Sequence, residues 1–260
     1  KKSISRYLSL RDKKGKQISH IKAIAKGSRG KLYLGTLEGL GIFDQKEGTI
    51  DYLPIGGTTS LDNRRINALI AEDSNVWIGT HHLGVWVINA DGKIEALGNN
   101  AGISIQALYA IEENIWIGTT EGLFGYNKKS KKATQYPAFN QHTVLSLFMD
   151  SQKRFWVGTD KGIALFNPLT NEKHCITEET GLINNIIEAI VEDNQGDIWV
   201  STQKGLSKIS YSGNNENFSD KNLSIYNYTS NDGLPSNQFM QGAALKTKNG
   251  ELLFGGVNGL

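Results

Sequence analysis

The side chains in this chain that could do chemistry gather in short turns. Glu38, Glu121 and Asp160 stand in equivalent turns of a recurring phrase. Two carboxylates at a set separation are the machinery of glycoside hydrolysis, so a lyase or glycosidase reading begins with them. As solvated turn residues they need no function. His81 and His82 are neighbours. In a strand they point to opposite faces and make a poor metal pair, whereas in a turn they can converge. Asp193-Asn194-Gln195-Gly196-Asp197 looks like part of a calcium loop. It lacks the remaining ligands and a distal glutamate, and a hairpin turn between two strands explains it better. Asn217, Asn222 and Asn227 head glycosylation-type triplets in an Asn/Ser-rich stretch, read as chance matches. The chain has no G-x-S-x-G, H-E-x-x-H, C-x-x-C or phosphate-binding loop. The motifs therefore name no catalytic residue, no metal ligand and no cofactor.

The composition narrows the class. The chain has 260 residues, 38% hydrophobic and 21% charged, which suits a globular protein rather than a disordered one. A net charge of +2 with no clustered basic helix argues against nucleic acid as a partner. Cys175 is the single cysteine, so no intrachain disulfide can form. No apolar run approaches the ~20 residues that span a bilayer. Lys1-Lys2-Ser3 begins no signal peptide, and Gly259-Leu260 falls mid-repeat. The expectation is a fragment of a longer protein, with residues 1–260 forming one domain. Glycine is abundant at 29 residues and proline scarce at 4, which suggests strands joined by tight turns.

An internal repeat positions the turns. Ile115-Trp116-Ile117-Gly118-Thr119 returns at Val76-Trp77-Ile78-Gly79-Thr80, Phe155-Trp156-Val157-Gly158-Thr159 and Ile198-Trp199-Val200-Ser201-Thr202. Leu32-Tyr33-Leu34-Gly35-Thr36 is a paler copy, and Leu252-Leu253-Phe254-Gly255-Gly256 a degenerate one. The markers at positions 35, 79, 118, 158, 201 and 255 lie 44, 39, 40, 43 and 54 residues apart. A period of about 40–45 residues with four short strands each is the signature of a β-propeller blade. The fold class is all-β, a β-propeller of four-stranded blades with six repeat markers visible. A TIM barrel is disfavoured because no amphipathic helix separates the strands.

Blade physics accounts for the residue types. The second strand is central in its sheet and buried on both faces, so it is apolar throughout. Trp77, Trp116, Trp156 and Trp199 fill the wedge between blades, where one indole buries about 150–250 Å². Gly39, Gly84, Gly122, Gly162 and Gly205 permit positive φ or close approach after the turn. Asp91-Gly92 marks a two-residue hairpin turn. Residues 4–10 form an edge strand, either left from another blade or closing the sixth, and residues 212–222 a surface loop.

The variable positions are the candidate site. Within the Gly-Thr…Gly frame the inserted residues differ: Leu37-Glu38, His81-His82-Leu83, Thr120-Glu121, Asp160-Lys161, Gln203-Lys204 and Val257-Asn258. These turns join second and third strands and emerge at the same end as the connections between blades, which include Arg64, Arg65, Asn100, His142 and Asn185. The expected ligand-binding rim is Arg64, Arg65, His81, His82, Asn100, Glu121, His142, Asp160, Asn185 and Lys204. Its amide, imidazole and guanidinium groups suit neutral or anionic oligosaccharides, and arginine grips a carboxylate or sulfate bidentately. Trp86, outside the core column, offers either a stacking face or, more simply, packing on a third strand.

The phrase W-[IV]-G-T-x-x-G-[LI] at this period resembles the two-component-regulator propeller repeat. The connectors Thr180-Gly181-Leu182-Ile183-Asn184-Asn185 and Asn231-Asp232-Gly233-Leu234-Pro235-Ser236-Asn237 are similar to that family's linker, and Gly250 to Leu260 to its final blade. The likeness covers nearly the whole chain. It departs at the three-residue turn His81-His82-Leu83, at Ser201, and in repeat six, which lacks the Trp and Thr. The resemblance implies seven blades in the intact ring and a periplasmic sensor region of a hybrid two-component system. It further implies a glycan-derived oligosaccharide ligand, an immunoglobulin-like domain and a neighbouring propeller in the same chain, a homodimer, and a histidine kinase outside this stretch. The alternatives are a propeller lyase or glycosidase and a scaffold propeller with a protein partner.

Overall fold

The computed structural model describes residues 10–18, 20–54, 65–98, 102–213 and 220–259. Regular structure among them is strand, with 3-10 turns of three residues, and no helix is long and apolar enough to cross a membrane. The chain divides into two compact units, Lys1–Leu108 and Tyr109–Leu260.

The expected repeat folds as four-stranded antiparallel meanders. In the first, β3 (Ile21–Lys26), β4 (Leu32–Thr36), β5 (Leu40–Asp44) and β6 (Thr49–Leu53) pair in order. The second sheet is β7 (Ile66–Glu72), β8 (Asn75–Thr80), β9 (Val85–Ile88) and β10 (Ile94–Ala96). The third is β11 (Ile105–Ile111), β12 (Asn114–Thr119), β13 (Gly122–Asn127) and β14 (Lys132–Tyr136), and the fourth β15 (Val144–Met149), β16 (Phe155–Thr159), β17 (Gly162–Asn167) and β18 (Glu172–Ile176). The fifth is β19 (Ile187–Glu192), β20 (Ile198–Thr202), β21 (Leu206–Tyr211) and β22 (Leu223–Tyr228). A two-stranded sheet follows, β23 (Phe239–Lys246) and β24 (Leu252–Gly256).

The beginning of the chain differs from expectation. Residues 4–9 lie outside the described residues. β1 (Leu10–Asp12) pairs in parallel with β6 and antiparallel with β2 (Gln17–Ile18), so it widens the first sheet on its outer edge. The hairpin of β9 and β10 is also looser than a two-residue turn. Beyond the Ile88–Ile94 pair the Asn89 amide donates to the Lys93 carbonyl at 2.9 Å, which closes the loop on residues 90–92, with Gly92 at φ 90°. The Asp91 carboxylate accepts the Lys93 amide at 2.9 Å within this turn.

The tryptophan column behaves as core in three sheets. Trp77, Trp116 and Trp156 are buried. Trp116 stands 4.7 Å from Phe155 of the next sheet and 5.0 Å from Tyr136 of its own. Trp199 is only half-buried, stacked on Tyr228 at 5.3 Å.

The marker glycines are there to admit a neighbour. A Cβ on Gly158 would lie 2.6 Å from Ile187 Cγ2, and one on Gly79 2.6 Å from Ile105 Cγ2. In each case the β-branched residue opening the next sheet's inner strand seats itself over the glycine. The inner strands share a feature the repeat does not advertise. β3, β7, β15 and β19 each shift register one residue after their start, a β-bulge that turns Lys22, Asn67, Leu145 and Glu188 out of the ladder.

Candidate ligand-binding rim

The frame of each turn is locked by its threonine. The hydroxyl of Thr119 donates to the Gly122 carbonyl at 2.9 Å and accepts the Glu121 amide at 3.0 Å. Thr159 does the same with Gly162 and Lys161, at 2.9 and 3.0 Å. Thr202 repeats it with Gly205 and Lys204, again at 2.9 and 3.0 Å. In the first unit Thr36 clips Gly39 and Glu38, and Thr80 clips Gly84 and Leu83. All five threonines are buried. Each sits one residue after the marker, where a buried hydroxyl satisfies a turn amide and adds a second donor to a glycine carbonyl that, in the turns of Thr36, Thr80 and Thr202, already accepts the threonine's own amide. The closing glycine is required sterically as well. Gly162 has φ 120°, and a Cβ there would lie 2.5 Å from the Ile176 carbonyl.

Turns and connectors lie side by side at one end of their sheets. The His81 amide donates to the Arg65 carbonyl at 3.0 Å, Asp160 to Thr143 at 3.1 Å, and Val257 to Gln238 at 3.1 Å. Gly162 donates to Asn185 of the following connector at 2.7 Å.

The ten candidate rim residues divide by what their side chains already do. Arg64 and Asn100 lie outside the described residues. Glu121, Lys204 and His82 are exposed and Arg65 half-buried. His81 Nδ1 lies 2.8 Å from Ser104 Oγ, and its ring is 4.0 Å from that of His82. Among the described residues no three His, Cys, Asp or Glu side chains gather as a metal site would require. The Asp160 carboxylate accepts the Thr143 amide at 3.0 Å. Asn185 closes its own connector, accepting the Glu178 amide at 2.8 Å. Asn237 does the same for Ser230 at 2.6 Å. The linker asparagines thus hold the loop, and Gly181 and Gly233, at φ 116° and 99°, end its 3-10 turns. Trp86 donates to the Leu83 carbonyl at 2.9 Å and packs on the core of the first unit.

His142 has the most distinctive environment of the ten. It follows the 3-10 turn Pro137–Phe139, whose Phe139 is fully buried. Lys173 of β18 places Nζ 3.2 Å from His142 Nε2 and 5.0 Å from the centre of the Phe139 ring. Lys161 donates to the carbonyl of Gln141 at 3.3 Å. Burial first, then the charges of Lys173 and Lys161, hold the imidazole pKa below its ordinary value, with Asp160 opposing weakly.

The sheet ends opposite the rim hold features that the repeat does not reveal. Asp150 and Arg154 form a fully buried ion pair with Nε and Oδ2 2.5 Å apart, and Trp156 donates its indole N–H to the same oxygen at 2.8 Å. Trp199 donates to Asp193 in the same way, at 2.8 Å. The spacing Asp-x5-Trp was the available signal in the sequence. Asp193-Asn194-Gln195-Gly196-Asp197 is the hairpin turn between β19 and β20, its first carboxylate accepting the amides of Gln195 and Asp197. At that end of the first unit a cleft of about 150 Å³ is lined by Ser28, Lys31, Tyr33, Ser74 and Asp91. It is smaller than the ~300 Å³ at which pockets begin to enclose a drug-sized ligand.

This architecture is that of a β-propeller. The chain matches the extracellular domain assigned to a hybrid two-component system of B. thetaiotaomicron with a TM-score of 0.70 and 18% identity, over 95% of this chain and 32% of that one. A second such domain from the same organism matches with a TM-score of 0.62 and 23% identity, over 92% and 38%. Virginiamycin B lyase from Staphylococcus aureus matches with a TM-score of 0.61 and 13% identity, over 90% and 83%. At these identities the likeness shows the fold alone. The chain spans about a third of the length of the first of these domains. Residues 138–161 and 181–204 match the family described as two component regulator propeller. Among curated proteins none matches the chain in sequence.

Proposed function

We propose that this chain is a ligand-sensing propeller in the periplasmic part of a hybrid two-component signalling protein, responding to a glycan-derived oligosaccharide without transforming it. The reading takes residues 1–260 as one propeller domain, with a further propeller, an immunoglobulin-like domain and a histidine kinase elsewhere in the same protein. The observation that carries it is the contrast within each turn. The buried threonine and the closing glycine are committed to the backbone, while Glu121, Lys204 and His82 between them stay exposed and vary in type. Locked frames carrying variable polar side chains suit binding on a rigid scaffold. The match to two-component regulator propeller repeats and the extracellular neighbours support the sensing role.

A sensor of this kind acts by differential affinity. A ligand that binds one arrangement of a homodimer better than another shifts the population toward it and changes kinase output. The test is calorimetry of the full-length protein against a library of glycan fragments, paired with a transcriptional reporter. Glu121→Ala, His82→Ala and Lys204→Ala together are expected to abolish both binding and response. Normal signalling by the triple variant would remove the rim from the mechanism. Turnover of a fragment, lost on changing Glu121, would replace sensing with catalysis.

A further inference from the structure

On the rim of the second unit, two ammonium groups lie beside one imidazole, with Asp160 as the carboxylate that faces them. Lys173 Nζ lies 3.2 Å from His142 Nε2, and Lys161 Nζ donates to the carbonyl of the residue before it, Gln141. An ammonium has three N–H groups and no lone pair. Lys173 must therefore donate to Nε2, which places the proton of the neutral imidazole on Nδ1. Neither lysine reaches a carboxylate within ion-pair distance among the described residues. The carboxylate facing this group is Asp160, and its Oδ1 is taken by the Thr143 amide. Each lysine therefore keeps N–H donors for something outside the protein. His142 Nδ1 is buried with no partner. Gln141, which turns the connector here, holds the left-handed conformation at φ 62°, a backbone state that asparagine and glycine adopt far more readily.

We propose that Lys161, Lys173 and His142 form a subsite for an anionic group, a carboxylate or a sulfate, on the oligosaccharide received by the rim; the proposal rests on the sensing reading above. The arrangement has a built-in proton response. With the site empty, Lys173 and Lys161 disfavour a third positive charge between them, and burial beside Phe139 adds to that. An anion in contact with both lysines reverses the local field. Nε2 then takes a proton from solvent and turns from acceptor to donor, and Lys173 is released to donate to the anion. Binding is accompanied by proton uptake and is tighter at pH 5.5 than at pH 7.5. The groups that set this response are Lys173 from β18 and Asp160 and Lys161 from the turn between β16 and β17.

The experiment follows the His142 imidazole by NMR across pH in the full-length protein, alone and with four probes. These are inorganic sulfate, a digalacturonate, a sulfated galactose disaccharide and the neutral galactose disaccharide. The expected result is a rise in the His142 titration midpoint with the anionic probes and none with the neutral sugar. Lys161→Gln, an exposed change that leaves the core untouched, weakens the anionic probes about tenfold, and Lys173→Gln does likewise. Preference for the uronate or the sulfated sugar identifies the source of the anion. If the neutral disaccharide binds as tightly as the acidic ones and Lys161→Gln changes nothing, the anionic subsite is wrong while glycan sensing stands. If sulfate alone shifts His142, sensitively to both lysines, the subsite stands and the glycan reading falls. No shift with any probe overturns the subsite.

Discussion

The most consequential residues in each repeat are the threonine and the glycine around the variable pair. Thr159 satisfies the Gly162 carbonyl and the Lys161 amide from a buried position. Thr159→Val keeps the shape and strands the Lys161 amide. It is expected to cost about 1–3 kcal/mol, read from the urea midpoint, and an unchanged midpoint would mean the clip is dispensable. Two partly buried titrating residues, His142 and Asp193, contribute to the pH dependence of stability. The folded pKa of His142 lies below its ordinary value of about 6.5. The unfolded chain therefore binds this proton first, and the stability from neutral His142 is full above about pH 6.5 and lost as the pH falls toward the folded value. Asp193 acts lower. Burial pushes its pKa up, but the Trp199 indole, the amides of Asp197 and Gln195, and Lys208 together bring it below the ordinary value. Its contribution is full above about pH 4 and lost as acid takes the pH through the depressed value. His142→Gln should flatten the first slope in pH-dependent melts and leave the second.

Between elements of the second unit, an absent side chain joins the fourth sheet to the fifth and a large one joins the third to the fourth. Gly158 leaves room for Ile187, whose Cγ2 would otherwise lie 2.6 Å from a Cβ. Gly158→Ala is expected to destabilise by about 1–3 kcal/mol through overpacking. In combination with Ile187→Ala the two costs should sum to more than the double variant shows, because the second change vacates the space the first one needs. Additive costs would place the strain elsewhere. Trp116 supplies the opposite device, an indole wedged against Phe155 and Tyr136. Trp116→Ala should cost about 3–5 kcal/mol by cavity formation, and a loss under ~1 kcal/mol would rule out its core role.

At the scale of the whole second unit, polar staples across the sheet ends opposite the rim join what the wedges start. Ser151 donates through Oγ and its amide to Glu192, at 2.6 and 3.0 Å, linking the fourth and fifth sheets. Lys246 donates to the Asp193 carbonyl at 2.9 Å, linking the fifth sheet to β23. Arg154, 1% exposed, pairs with Asp150 and reaches the Tyr211 carbonyl at 2.8 Å. Removing one partner of a buried pair leaves the other charge uncompensated. Arg154→Met is therefore expected to destabilise by about 3–5 kcal/mol, with most of that recovered when Asp150→Asn is added. Failure of the second change to recover stability would place the cost in the lost Tyr211 contact.

The period, the four-strand unit and the buried second strand were legible in the sequence because they are local. Spacing, alternation and a tryptophan column survive in a linear text. The frame of the rim was legible too, since the same end of every sheet carries the same phrase. The division of labour within the rim came only with the tertiary structure. Asn185 and Asp160 look like free polar groups in the sequence, yet each is held by a backbone amide of a connector. Trp199 looks identical to Trp156, yet it is only half-buried and stacks on Tyr228, while Trp156 is fully enclosed. The convergence of Lys161 and Lys173 on His142 joins residues 19 and 31 positions from it in the chain. Such meetings depend on which strands lie side by side, and the sequence holds strand order only through the pairing that folding itself selects.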